Sequence, residues 1–311
     1  RYPILNWNMG MTYRLRERDE RVYPQGELAR RTIGQVGDKG NYGVEYVLRD
    51  VLEGRDGKAR RQRIARGFYG RVVGGDNSEP EDGLDVVTTL DLEMQDVADR
   101  ALRRQLEAQN ALWGTALVME VATGDLLAMA NLSRTKSGAY AEVKNHALSS
   151  RMEPGSTFKL AALLALVDDA GMSLDETFDT GNGARVKVGR TTVQDSHGLP
   201  PLNLKDAVAH SSNVFFARAV YETYKDDPER YVDYLRHLHL DRTVGLEEFG
   251  AVAPIFPAPG MKIWYPDVSI VNMGYGYAIE LTPLHTLTLY NAVANDGCMV
   301  APRLVREIRR G

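Results

Sequence analysis

The feature that most constrains this chain is an unbroken apolar run, residues 160–167, which follows a Pro154-Gly155 turn. The run is rich in strong helix formers, and Pro-Gly marks the place where the chain turns into it. The sequence therefore predicts a buried helix that begins near Ser156. Lys159 then lies one turn after Ser156 on the same helix face, where its amine can reach the serine hydroxyl.

A serine beside a lysine is a candidate nucleophile with a candidate base. A lysine at its ordinary pKa of about 10.4 is protonated near neutral pH and cannot accept a proton. Burial lowers that pKa, and the positive N-terminus of a helix stabilises an oxyanion. The same spacing recurs at Ser133 and Lys136, but that pair falls in a predicted polar loop over residues 133–150. We therefore predict that Ser156, rather than Ser133, is the nucleophile.

A second polar cluster, Ser211-Ser212-Asn213, falls within a helix predicted over residues 203–224. Serine and asparagine favour helix caps, so a capping role is one interpretation of this cluster. The other interpretation is that the hydroxyl of Ser211 and the carboxamide of Asn213, two positions apart, flank a cleft. The residues of this segment by themselves leave both interpretations open.

Charge and turn residues divide the chain into two predicted modules. Residues 1–71 carry a net charge of +7 and the remainder −11, an asymmetry that favours two modules. The acidic, turn-forming stretch at residues 74–83 is the predicted boundary. The basic end mixes both signs of charge, which is typical of a solvated face, and we do not predict nucleic acid as a partner.

Several secondary-structure elements follow from periodicity and capping. Asp91 is a predicted N-cap for a helix over residues 92–109, whose apolar positions recur every three and four residues. A further long helix is predicted at residues 283–295 and a short one at 44–52. Alternating β-branched residues predict a strand at 84–90, and a turn at 122–124 joins two more strands at 115–121 and 125–131.

Other motifs exclude some functions. Asp195, Ser196 and His197 are consecutive and cannot form a serine triad, because neighbouring side chains diverge. His237 and His239 have no second ligand pair at a usual spacing, so we predict no metal site. The sequence has no dinucleotide-binding fingerprint, so we predict no cofactor. The only cysteine is Cys298, and the longest apolar run is well below the ~20 residues of a membrane span. Because the chain starts without a methionine, we expect it to be a fragment of a longer protein.

Ser-x-x-Lys at Ser156 and Ser-x-Asn at Ser211 resemble, in order, two of the three motifs of penicillin-binding proteins and class A β-lactamases. Further segments along nearly the whole chain resemble class B penicillin-binding proteins. Those similar to the pedestal domain are residues 23–26, 40–45 and 54–57; those similar to the transpeptidase domain are residues 88–91 with Gln95, 113–116, 122–125, 129–131, 274–276, 281–284 and 294–297. The surroundings of Glu153 and Ser133 look closest to the septal, cell-division branch.

The resemblance implies an α+β fold in two parts. Residues 84–311 are expected to form the first two-thirds of a penicillin-binding transpeptidase domain, which is serine β-lactamase-like, truncated at its C-terminus. Residues 1–83 are expected to form a partial, elongated α/β pedestal of the dimerisation type. The family's third motif, Lys-Thr-Gly or Lys-Ser-Gly, does not follow Asn213, and Lys136-Ser137-Gly138 precedes Ser156. A sheet without its later strands has an open edge, so we expect the chain as given not to acylate normally.

The resemblance also implies a reaction, peptidoglycan D,D-transpeptidation. Ser156 is then the nucleophile, Lys159 its base, Ser211 a proton relay and Asn213 the residue that orients the donor peptide. The implied partners are peptidoglycan stem peptides, β-lactam antibiotics, a membrane glycan polymerase and other division proteins. The implied location is the bacterial inner membrane, with one N-terminal span outside this chain and the domains in the periplasm.

Other functions share the same acylating core. They are a β-lactam sensor or binder without turnover, a serine β-lactamase or D,D-carboxypeptidase, and a pedestal protein whose catalytic half has decayed. Hydrolysis needs a group that activates water, such as a positioned glutamate, and Glu153 is a candidate by position alone.

Overall fold

The computed structural model describes residues 22–38, 40–58, 61–65, 68–71, 78–183 and 185–310. The N-terminal region contains helices α1 (Arg30–Ile33), α2 (Gly43–Val47) and α3 (Arg49–Leu52), then an antiparallel hairpin of β1 (Arg61–Ala65) and β2 (Phe68–Arg71). Only part of the predicted boundary stretch, residues 78–83, is described; it runs beside residues 55–58 through two isolated β-bridges. A domain boundary at residue 83 stays a prediction.

The rest of the chain supplies most of the regular structure. Its helices are α4 (Leu92–Ala108), α5 (His146–Ser149), α6 (Lys159–Leu164), α7 (Leu204–Ala209), α8 (Asn213–Tyr224), α9 (Pro228–His237), α10 (Ser269–Met273) and α11 (Pro283–Ala294). Its strands are β3 (Asp85–Thr88), β4 (Trp113–Met119), β5 (Leu126–Arg134), β6 (Tyr140–Ala141), β7 (Thr177–Phe178), β8 (Val186–Val188), β9 (Thr191–Val193), β10 (Leu202–Asn203) and β11 (Val305–Arg309).

A β-sheet with α4 on one face forms one half of this region. The antiparallel strands lie in the order β4-β5-β6, and β3 pairs separately with β11. Asp91 caps α4 by accepting a hydrogen bond from the N–H of Met94 at 2.9 Å. The buried Gln95 of α4 then accepts from the N–H of Met129 on β5 at 2.7 Å, which fixes the helix against the sheet. Within the described residues, β4 pairs only with β5.

A helical half lies beside the sheet, and its centre is α8. This helix buries most of its side chains, including Phe215 and Phe216, because other helices cover it on several sides. The run after Ser156 enters the same core: a 3₁₀ turn (Gly155–Phe158) leads into α6, which ends in a π turn (Ala165–Asp169). The buried Tyr224 of α8 donates to the carbonyl of Ala165 at 2.8 Å and ties the two helices together.

Most predicted elements are confirmed, and two are wrong. The predicted strand at residues 84–90, the hairpin, the helix after Asp91 and the helix at 283–295 are present with ends shifted by a few residues. The predicted loop at residues 133–150 instead contains the end of β5, β6 and α5, because Tyr140 pairs with Arg134 and Asn145 caps α5. The predicted helix at residues 203–224 is broken into α7 and α8.

Candidate active site

The turn that carries Ser156 is fixed by glycine backbone packed against glycine backbone. Gly155 has a φ of +56°, and its N–H donates to the carbonyl of Gly276 at 2.9 Å. A Cβ on Gly276 would lie 1.9 Å from the carbonyl oxygen of Gly155, so this approach admits no side chain at position 276. Phe158 is buried behind the turn while Ser156 is exposed. The serine hydroxyl is therefore held on a rigid turn that a substrate can reach.

Lys159 lies in the first turn of α6 and is 5% exposed. Its Nζ is 3.1 Å from Ser156 Oγ, as the predicted helical spacing requires. It also lies 2.5 Å from the carbonyl oxygen of Ser211, 3.0 Å from Ser211 Oγ and 2.7 Å from Asn213 Oδ1. The structure thus brings all four predicted site residues together around one amine.

Burial lowers the pKa of Lys159 to about 8, against the raising effect of the nearby Asp195 carboxylate. About a tenth of the lysine is then neutral at pH 7. A neutral amine has two protons and one lone pair. With its protons on oxygens of Ser211 and Asn213, its lone pair is free to accept the proton of Ser156. The contacts therefore suit Lys159 to act as a general base.

The segment at residues 210–212 breaks the predicted helix, and this break brings Ser211 into contact with Lys159. Ser211 has a φ of +51°, a left-handed conformation that ends α7 and turns both its carbonyl and its hydroxyl toward Lys159. Ser212 is the N-cap of α8 and accepts from the N–H of Phe215 at 3.0 Å. In the structure Ser212 caps the helix, whereas Ser211 and Asn213 both contact the amine of Lys159.

Asp195 is the site residue that sequence reasoning missed. The structure forms no triad of Asp195, Ser196 and His197: Ser196 bonds His197, but the Asp195 carboxylate bonds other residues. The Asp195 side chain is buried instead against the start of α8, where it accepts from Ser212 Oγ at 2.8 Å and from the N–H of Asn213. An acidic residue that lies just after a short strand gives no local signal of this distant contact.

The second Ser-x-x-Lys pair does not assemble. Lys136 is exposed, and Ser133 Oγ bonds instead to His146 Nε2 at 2.7 Å. The other ring nitrogen of His146 bonds to Ser150 at 2.8 Å, and the ring stacks on Trp113. Burial lowers the pKa of His146 to about 4, so this histidine is neutral near pH 7. These buried contacts connect β5 to α5.

One cavity has Gln194, a hydrogen-bond partner of Asn213, in its lining, and another lies in the N-terminal region. A cavity of about 360 Å³ is lined by Glu153, Gln194 and Tyr277 among others, and Gln194 is the residue whose carbonyl accepts from Asn213 Nδ2. A larger cavity of about 480 Å³ lies between α1 and β3, lined by none of the four candidate residues. None of the four candidate residues lines the smaller cavity either; its link to the site is the hydrogen bond between Asn213 and Gln194. Glu153, which lines this cavity, accepts a hydrogen bond from the N–H of Ala278 at 3.0 Å.

The described part of the chain has neither a cluster of metal-ligating side chains nor a helix suited to span a membrane. It contains no group of three or more histidine, cysteine, aspartate or glutamate side chains placed to hold a metal ion. None of its helices combines the length and the apolar character needed to cross a bilayer. His237 ends α9 and His239 follows it in a left-handed conformation, both exposed.

Comparison with known proteins gives this geometry a family. The sequence profile of the penicillin binding protein transpeptidase domain matches residues 114–310. The penicillin-binding protein PbpB of Mycobacterium tuberculosis is 30% identical over 305 residues, which is 93% of this chain and 43% of that protein. PenA of Neisseria meningitidis, named a probable peptidoglycan D,D-transpeptidase, is 27% identical over 292 residues, 90% of this chain and 48% of that protein. The chain thus spans about half the length of these curated relatives.

Solved structures agree with the sequence matches. Penicillin binding protein 3 of Mycobacterium tuberculosis, complexed with aztreonam, matches with a TM-score of 0.76 at 27% identity, covering 94% of this chain and 62% of that chain. The same protein complexed with ampicillin gives a TM-score of 0.76 at 28% identity, covering 94% and 61%. The predicted transpeptidase fold is therefore confirmed, and the chain belongs to the penicillin-binding protein transpeptidase family as a class B penicillin-binding protein.

Proposed function

We propose that this chain carries the acylating centre of a serine peptidoglycan D,D-transpeptidase. The observation that supports this most directly is the position of Lys159 Nζ, 3.1 Å from Ser156 Oγ, 3.0 Å from Ser211 Oγ and 2.7 Å from Asn213 Oδ1. A buried amine with a lowered pKa beside an exposed hydroxyl is an activated nucleophile pair. The two relatives whose names mention penicillin binding or D,D-transpeptidation support the same reaction.

In the proposed acylation, Ser156 Oγ attacks the carbonyl carbon between the two terminal D-alanines of a stem peptide. Its proton passes to the lone pair of Lys159, and the carbonyl oxygen becomes an oxyanion near the Ser156 N–H. The lysine then returns a proton through the hydroxyl of Ser211 to the nitrogen of the leaving D-alanine. The C–N bond breaks as the ester to Ser156 forms. Asn213 holds Lys159 and orients the donor peptide.

Deacylation follows the same path in reverse with a different amine. The amino group of a neighbouring stem peptide attacks the ester carbonyl and loses a proton toward Lys159. Ser156 Oγ leaves and takes that proton back, so that the new amide cross-link forms and the serine is restored. This two-step scheme is ping-pong chemistry. A β-lactam amide in place of the donor is expected to acylate Ser156 and remain there.

We place this reaction in septal wall synthesis at the cell envelope. The surroundings of Ser156 resemble the cell-division branch of the family. The proposed partners are a membrane glycan polymerase and other division proteins, with β-lactams as inhibitors. The proposed location of the complete protein is the inner membrane, with these domains in the periplasm.

The decisive test is covalent labelling of the full-length protein by a fluorescent penicillin. Ser156→Ala is expected to abolish the label. Ser133→Ala is the matched control, since Ser133 has the same spacing to a lysine, and it is expected to keep the label. Equal labelling of Ser156→Ala and the unaltered protein rules out the proposed nucleophile.

The lifetime of the adduct separates the alternative functions. An acyl-enzyme that lasts for hours supports a transpeptidase or a sensor, whereas loss within milliseconds supports a β-lactamase. Cross-linking of a stem-peptide donor to an amine acceptor then distinguishes the transpeptidase from the sensor, because a sensor forms no cross-linked product. Release of D-alanine without cross-linking supports a carboxypeptidase.

We further propose that the 311 residues by themselves acylate slowly. No Lys-Thr-Gly or Lys-Ser-Gly follows Asn213 in this sequence, and β4 pairs on one side only within the described residues. In the family, the strand that carries this third motif is expected to supply the second oxyanion donor. Loss of one such donor slows acyl transfer by about 10²–10³-fold. Labelling of the 311-residue chain as fast as that of the full-length protein contradicts this proposal.

A further inference from the structure

The carboxylate of Asp195 bonds the first groups of α8. Its two oxygens accept from the N–H of Asn213 at 2.5 Å, from the N–H of Val214 at 3.2 Å and from Ser212 Oγ at 2.8 Å. The hydroxyl of Ser212 in turn accepts from the N–H of Phe215 at 3.0 Å. The first three N–H groups of this 12-residue helix are therefore all bonded by two side chains. These groups have no partner inside the helix itself.

This network lies directly behind the side chains that contact Lys159. Ser212, which Asp195 holds, stands between Ser211 and Asn213, the two neighbours whose oxygens surround the lysine amine. The left-handed conformation of Ser211 is unfavourable in a residue with a side chain. Such a conformation persists where the surrounding structure over-determines it. The Asp195 bonds, with a helix on either side of the turn, supply that constraint.

Asp195 is 8% exposed, and its carboxylate accepts three hydrogen bonds from the start of α8. A buried carboxylate is stable where several donors and a positive helix end face it. A neutral cap by Ser212 alone is enough to start a helix. The additional buried charge therefore points to a role in the site that the helix does not need.

We propose that Asp195 is a positioning residue of this site, which fixes the Ser211–Asn213 turn against Lys159 and places a compensating negative charge behind the amine. This proposal rests on the proposed acyl-transfer function. Asp195 does not contact the reacting atoms: it acts through Ser212 and the backbone of Asn213. Its two consequences, on geometry and on charge, can be measured separately.

The effect of the Asp195 charge on the pKa of Lys159 has a defined direction. The Asp195 carboxylate raises the pKa of Lys159, while burial lowers it. The other groups in contact with the amine are neutral oxygens of Ser156, of the α7–α8 turn and of α8, with the ring of Phe216 at 5.9 Å. Removing the Asp195 charge is therefore expected to lower the pKa of Lys159 further.

The nearest histidines in sequence are His197, two residues after Asp195, and His210, at the end of α7. Both are exposed, and their rings lie 6.5 Å apart, edge to face. Acylation is best measured from pH 6.5 to 9, a range that spans the pKa of Lys159, about 8.

The experiment uses the full-length protein and the second-order rate of acylation by a fluorescent penicillin across that pH range. Asp195→Asn keeps the shape and one acceptor but removes the charge. It is expected to lower the plateau rate by about 10–100-fold, since a displacement near 1 Å can cost about 10²-fold. It is also expected to shift the acid limb of the profile to lower pH. Asp91→Asn, a cap carboxylate on α4, is the matched control and is expected to change neither.

Ser212→Ala separates the two consequences and guards against misfolding of Asp195→Asn. It removes the hydroxyl bond to Asp195 but keeps the charge, so the plateau rate should fall while the acid limb stays in place. An Asp195→Asn profile that is identical to the unaltered one, or that is lowered without a shift, overturns the proposal. Should Asp195→Asn fail to fold, normal acylation by Ser212→Ala overturns it. Absence of acylation in the unaltered protein instead refutes the proposed function, and this proposal with it.

Discussion

Acylation of Ser156 is expected to follow the neutral fraction of Lys159. With a pKa of about 8, that fraction is about 1% at pH 6, about 10% at pH 7 and about half at pH 8. The acylation rate should therefore fall about 50-fold from pH 8 to pH 6 and level off above pH 9. A lysine with an ordinary pKa of about 10.4 gives a different curve, because its neutral fraction rises about tenfold per pH unit through pH 9.

The assay is the second-order rate of labelling of the full-length protein by a fluorescent penicillin in buffers of constant ionic strength. Lys159→Arg is the control, because a guanidinium stays protonated and offers no lone pair, so acylation should be lost at every pH. A rate that is constant between pH 6 and 9, or one that still climbs tenfold per unit at pH 9.5, refutes the assignment of a buried, neutral lysine as the base.

Three further outcomes follow from other parts of the molecule. Gly276→Ala places a Cβ 1.9 Å from the carbonyl oxygen of Gly155, so acylation should fall at least about 100-fold; an unchanged labelling rate contradicts the backbone contact. Burial raises the pKa of Glu142 from 4.5 to about 7, so its contribution to stability is present below pH 4.5 and lost as the pH rises through 7. The Tm of the unaltered protein relative to Glu142→Gln should fall across that window, and a constant difference contradicts this. Tyr224→Phe removes a buried bond to the carbonyl of Ala165 and should lower the free energy of unfolding by about 1–2 kcal/mol in urea titrations, whereas no loss means that the bond is dispensable.

Local patterns were enough to predict much of the site. The spacing of Ser156 and Lys159 places them on one turn in any helix, and the apolar run after them has no stable place except a core. The contrast with Ser133 also followed from local surroundings, since Lys136 has no apolar run to bury it and is exposed in the structure. The capping of α4 by Asp91 could be predicted for the same reason, because a helix cap depends only on the few residues that follow it.

The break between α7 and α8 could not be predicted from the sequence. The helix periodicity at residues 203–224 runs through Ser211, and its left-handed backbone depends on contacts that lie far away in the sequence. The prediction of a loop at residues 133–150 was wrong for the same reason, since its structure depends on contacts with other segments. Its polar residues form β6 and α5 because β5 supplies a pairing edge and Asn131 accepts from the N–H of Ala147.

The amino-acid sequence alone was enough to predict the candidate nucleophile, the candidate base, the family resemblance and the residues that compete for these roles. Those depend on short spacings and on residue types. Folding is what makes Ser211 and Asn213 face Lys159 while Ser212 caps a helix, and what brings Asp195, 17 residues before Ser212 in the sequence, against this turn. The physical reason is that the pKa of a lysine and the direction of a hydroxyl are set by whatever surrounds them. Those surroundings come from segments that meet only when the chain is folded.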